Sequence, residues 1–102
     1  MKEDKKFWQL YGWINRGRQR KLIIAKLTDK PITGEEFRKQ INATLPSKNQ
    51  LSLREISRHF TTFTQKEIMI CLTPDVPYGK LYVLTDKGKR IQKELTKSVK
   101  TS

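Results

Sequence analysis

The chain has 102 residues, 35% of them hydrophobic, with 22 Lys and Arg against 10 Asp and Glu, for a net charge of +12. That is the size of one domain with one modest core, too small for a separate catalytic domain with its own cleft. The charge points to a polyanionic partner, nucleic acid before an anionic membrane surface, and the lone Cys71 and lone His59 exclude an internal disulfide and a Cys/His zinc site.

In chain order, residues 1–6 are polar and expected to fray. The N-terminus lacks the apolar core of a signal peptide. No stretch approaches the roughly 18 apolar residues a membrane span needs, so a cytoplasmic protein with no membrane partner is expected. From Phe7 to Thr28 an N-terminal helical region is predicted, with Leu10, Trp13 and Ile14, then Leu22, Ile23, Ala25 and Leu27, at helical spacing. Gly12 and Gly17 weaken it, so a break is placed near Asn15. Asp29-Lys30-Pro31 ends this region.

Two helix starts follow with the same signature. Thr33 with Glu36 makes a capping box, with Ile32 and Phe37 as its staple, and opens a helix over 33–45 that ends at Leu45-Pro46. Ser52 with Glu55, stapled by Leu51 and Ile56, opens a helix over 52–65. At roughly 100° per residue, Leu53, Ile56, Phe60 and Phe63 share one face of this third helix. Arg54, Arg58, Thr61, Thr62 and Gln65 point the other way.

Residues 68–85 read as a hairpin: the apolar run Ile68–Leu72, a loop punctuated by Pro74, Pro77 and Gly79, and the return strand Leu81–Leu84. Thr85 caps a last helix over 86–97, whose apolar positions are Ile91, Leu95 and Val99. The expected fold is therefore mostly α with a small β-hairpin. Three core helices, a hairpin and a C-terminal helix are the parts of a winged helix-turn-helix, with the second and third helices as the turn motif and the hairpin as the wing.

The segments Leu53–Phe63 and Glu67–Ile91 resemble archaeal winged helix-turn-helix transcription regulators related to the MarR and ArsR types. The resemblance rests on the Ile56-Ser57-Arg58 step, on Cys71-Leu72-Thr73-Pro74 leading into the wing, and on the return Leu81-Tyr82-Val83-Leu84-Thr85-Asp86-Lys87-Gly88. It covers roughly residues 51–91, with a weaker match over 16–27. Two departures stand out. Members carry a glycine in the turn after the recognition helix where this chain has Glu67, and the turn before that helix, Pro46–Ser52, is longer than usual. The resemblance implies a recognition helix in the major groove and a wing on the neighbouring backbone or minor groove.

The residues suit that placement independently. Arg54 and Arg58 offer guanidinium forks to guanine or phosphate, and Ser57, Thr61, Thr62 and Gln65 offer short polar contacts. Lys80 sits on the wing beside Tyr78 and Gly79. Lys87, Lys89 and Arg90 open the last helix, and Arg16, Arg18, Arg20 and Lys21 the first. Cations at helix starts oppose the dipole, which suits a phosphate lying there. His59 and Cys71 are expected to pack rather than to sense protons or oxidants. Phe7, Trp8 and Tyr11, with Ile91 and Leu95, are expected to form a homodimer interface, because aromatics favour interfaces and two-fold half-sites call for two copies.

The expected function is a DNA-binding transcription regulator acting on double-stranded DNA, without catalysis or cofactor. No Ser-His-Asp set, metal cluster or phosphate-binding glycine loop is visible, and Gly79-Lys80 and Gly88-Lys89 read as turn chemistry. The alternatives are a nonspecific architectural binder dominated by phosphate contacts and an RNA- or protein-binding module of the same fold.

Overall fold

A computed structural model describes the backbone of residues 2–100 and the side chains of 5–97. The protein is mostly helical, with a small three-stranded antiparallel sheet. The elements are α1 (Lys2–Arg16), α2 (Arg18–Lys26), β1 (Ile32–Thr33), α3 (Gly34–Asn42), a 3-10 turn at Ser47–Asn49, α4 (Leu53–Gln65), β2 (Met69–Cys71), β3 (Leu81–Leu84) and α5 (Asp86–Lys100).

α1 begins at Lys2 rather than Phe7. Good helix formers fill the polar segment expected to fray. The break falls at Gly17, which adopts extended backbone (φ −98, ψ 114) and stands as N-cap of α2 without a side-chain cap. Arg20 folds back over this joint. Its Nε (3.0 Å) and Nη2 (2.7 Å) donate to the Trp13 carbonyl, and its guanidinium lies 4.2 Å above the Trp13 ring. A cation thus satisfies a carbonyl near the end of α1.

Both predicted caps form, but only the second is a full capping box, since no return bond from the Glu36 side chain to Thr33 is made. The Thr33 hydroxyl accepts from the Glu36 N–H at 3.1 Å, and the Ser52–Glu55 box is reciprocal, with Ser52 N–H donating to Glu55 Oε1 at 3.0 Å. Asn42 closes the long α3–α4 connection from both sides, its amide donating to the Leu51 carbonyl and accepting from the Leu51 N–H, each at 2.9 Å. α4 then buries Ile56, Phe60 and Phe63. Leu53, expected on that face, is 41% exposed, because the stripe on α4 is narrower than the spacing allowed.

α4 ends in a Schellman turn. Glu67 N–H donates to Thr64 O (3.1 Å) and Ile68 N–H to Phe63 O (2.8 Å), and the buried Ile68 packs into the same core as Phe63. Glu67 sits at φ 63 in the left-handed region, at the place where the resembled regulators carry glycine.

The hairpin pairs Met69, Ile70 and Cys71 with Leu84, Val83 and Tyr82. A short strand absent from the sequence reading completes the sheet: Ile32 and Thr33 pair with Tyr82 and Leu81, giving the order β1-β3-β2. Ile32 therefore acts as a strand residue as well as a staple. Thr85 locks the hairpin to α5: its Oγ1 accepts from Gly88 N–H at 3.1 Å and donates toward the carbonyls of Glu67 (2.6 Å) and Ile68 (3.0 Å).

α5 runs to Lys100, past the expected end at Lys97. It opens on Asp86, not on a cation, which is favourable at that terminus. Gly88 is no turn residue. It is a helical contact point at which an added Cβ would lie 2.2 Å from the Ile68 carbonyl oxygen. Gln92 fastens α5 to the end of α2, its amide donating to the carbonyls of Ile24 (2.9 Å) and Leu27. Ile91 and Leu95 are buried, as is Phe7, and the side chain of Val99 lies outside the described residues.

That packing takes three residues out of the expected homodimer interface. Phe7, Ile91 and Leu95 are 6%, 0% and 2% exposed and belong to the core of their own chain. Trp8 is exposed and Tyr11 half-buried, and the two stack edge to face at 5.5 Å.

Candidate nucleic-acid interface

α4 is amphipathic, and its packing decides what it presents. With Ile56, Phe60 and Phe63 fixed inward, the opposite arc carries Arg54, Ser57, Arg58, Thr61 and Gln65, all exposed. Among the described residues, neither arginine lies within 4.0 Å of a carboxylate. Thr62 is half-buried and turns its hydroxyl to the Arg58 carbonyl at 3.0 Å, so it serves the helix rather than the arc.

The hairpin runs along one flank of this arc. Two clefts lie between them. The first, about 350 Å³, holds Leu53 and Ser57 of α4 against Pro77, Tyr78 and Lys80. The second, about 210 Å³, holds Thr61 and Gln65 against Pro74 and Lys80. Lys80 lines both, which places this residue beside the helix arc. Tyr78 is 88% exposed at the hairpin tip, next to Gly79, whose positive φ of 67 makes the turn.

The other flank is α2, joined to α4 by a polar relay. Gln19 Nε2 donates to Glu55 Oε2 at 3.0 Å. Its Oε1 therefore accepts from His59 Nε2 at 2.9 Å, which puts the imidazole proton on Nε2. The Ser52 N–H, then the Gln19 amide and the Ser52 hydroxyl, hold the Glu55 carboxyl below the usual carboxylate range. Burial, then the charges of Arg58 and Arg20, hold His59 below its usual 6.5. The ring is neutral at pH 7 and stacks on Phe63 at 5.8 Å. His59 is thus a packing residue.

The remaining predicted cations do not converge on one site. Arg16 closes α1 instead of opening a helix. Arg18 opens α2 and lines a groove with Lys21 and Lys48. Arg20 is engaged at the Trp13 carbonyl and ring. Lys87 pairs with Glu67 at 3.4 Å. Lys89 is exposed on α5, and Arg90 stacks 3.8 Å above the Phe7 ring. Lys48 and Asn42, which shape the α3–α4 connection, carry no spacing signal that would single them out in sequence.

Among the described residues no helix is long and apolar enough to cross a membrane. No protein-family profile, curated protein or solved structure matches the chain.

Proposed function

We propose that the protein is a winged helix-turn-helix DNA-binding regulator. In this reading α3 and α4 are the turn motif, α4 enters the major groove, and the β2–β3 hairpin is the wing. The observation that carries it is the outward arc of α4, where Arg54, Ser57, Arg58, Thr61 and Gln65 stand exposed with Lys80 at their edge. A helix with side chains is about 10–12 Å across and the major groove about 12 Å wide, so the arc meets base edges from both sides. Arg54 and Arg58 suit guanine O6/N7, Gln65 suits adenine, and the methyl of Thr61 suits thymine. Lys80 and the exposed Tyr78 suit the adjoining backbone. The net charge of +12 supports a polyanionic partner, and the resemblance over residues 51–91 supports the regulatory role.

Selection of duplexes from a random pool at about 0.15 M salt tests this reading. An enriched motif is expected. Arg58→Ala is expected to lose about 1–3 kcal/mol on that motif and much less on unrelated duplexes. Retention without enrichment would reduce the protein to a nonspecific binder, and no retention would remove DNA as the partner. An inverted repeat with centres about one helical turn apart would bring in a second copy, held through surfaces other than Phe7, Ile91 and Leu95.

A further inference from the structure

A groove of about 700 Å³ runs between α2 and the α3–α4 connection. Its size is that of a small-molecule site. Leu22, Ala25, Leu45 and Leu51 line it with apolar surface, while Arg18, Lys21 and Lys48 bring cations to it from two separate elements. Its one carboxylate, Glu55, is already engaged: Oε1 accepts from Ser52 and Oε2 from Gln19. Among the described residues, none of the three cations has an ion-pair partner. The groove therefore combines an unneutralised positive lining with Leu22 and Leu45, whose side chains remain partly in water.

We infer that this groove binds an amphipathic organic anion, with a carboxylate or phosphate head at Arg18, Lys21 and Lys48 and an apolar body along Leu22, Ala25 and Leu45. Charge complementarity fixes the head: guanidinium and ammonium groups bind carboxylate and phosphate through charge-assisted hydrogen bonds. The leucines fix the body, because covering apolar surface is favourable in proportion to its area. A polynucleotide backbone would satisfy the cations and leave the leucines uncovered, so the amphiphile fits better. The site lies on the α2 side of α4, its lining shares no residue with the arc of Arg54, Ser57, Arg58, Thr61 and Gln65, and it needs no DNA.

The test is an amide NMR titration of the full chain with decanoate, with acetate as the head alone and octyl glucoside, below its micelle concentration, as the body alone. Decanoate is expected to shift the amides of Leu22, Ala25, Lys48 and Leu51 saturably, and both controls to bind on the order of tenfold more weakly or worse. The R18A/K48A double variant is expected to weaken decanoate on the order of tenfold. Ala25 is exposed on its helix, so Ala25→Phe fills the groove without touching the core or the charge and is expected to weaken decanoate similarly. The charge-matched K39A/K93A variant, altered at exposed positions elsewhere, is expected to stay within about twofold because remote charges are screened. Equal weakening in K39A/K93A, unchanged binding in Ala25→Phe, or acetate binding as tightly as decanoate would overturn the inference. So would a duplex that shifts the same amides and displaces decanoate, which would make the groove part of a polynucleotide surface.

Discussion

Replacing Glu67 by glycine is expected to stabilise the protein. Glu67 is the residue just past the cap of α4, held at φ 63 by the two hydrogen bonds of the Schellman turn. The left-handed conformation costs an L-residue about 1–2 kcal/mol. Glycine escapes that cost and loses about 0.5–1 kcal/mol through its more flexible unfolded chain. The bond from the Thr85 hydroxyl goes to the Glu67 carbonyl and survives the change. The side chain contributes one 3.4 Å ion pair with Lys87, and at 80% exposure it is worth little. Glu67→Ala is the matching control. It removes the same carboxylate and the same ion pair and retains the Cβ, so the two variants differ in backbone freedom alone. Glu67→Gly should exceed Glu67→Ala by about 1 kcal/mol, or roughly 4–8 °C in Tm for a domain of this size. Urea and thermal denaturation of the two variants measure it. Equal stability, or a more stable alanine variant, would show that the turn carries no left-handed strain.

Other outcomes follow from the same packing. Gly88→Ala should lose at least about 1–3 kcal/mol in urea unfolding, since its Cβ would lie 2.2 Å from the Ile68 carbonyl oxygen and 2.9 Å from Leu84 Cδ2; a near-neutral change would mean that α5 is not seated on that turn. Arg20→Ala should cost about 2 kcal/mol through its bonds to Trp13 while leaving the selected DNA motif unchanged, the opposite of Arg58→Ala. Because His59 is held below 6.5 in the fold, protonation favours the unfolded chain. Its contribution is whole above about pH 6.5 and is lost as pH falls through the lowered value. The urea midpoint should therefore drop between about pH 7 and pH 5, and His59→Gln should flatten that limb while the Glu55 limb below 4.5 remains; a wild-type midpoint that does not move there would place the ring in water.

Much of the local structure was legible in the residue order because it depends on neighbours three and four apart. The Ser52–Glu55 box, the Thr33 cap, the buried stripe of α4 and the hairpin all follow from short spacings. The outward arc of Arg54, Arg58, Thr61 and Gln65 follows as the complement of that stripe. The excess of positive charge is a property of composition and needs no fold.

Tertiary packing decided what distant residues do to one another. Two residues suffice for β1 only because Tyr82 and Leu81 arrive beside them, and so short a strand has no periodicity to read. Arg20 looks like its basic neighbours until the joint at Gly17 brings the Trp13 carbonyl under its guanidinium. Phe7, Ile91 and Leu95 look equally suited to an interface or a core, and the docking of α5 on α2 through Gln92 places the latter pair inside. Spacing along one helix shows which residues share a face. Which face is covered depends on the elements that pack against it, and these are joined here by contacts such as Gln19 with His59 and Gln92 with Leu27, far apart in the chain.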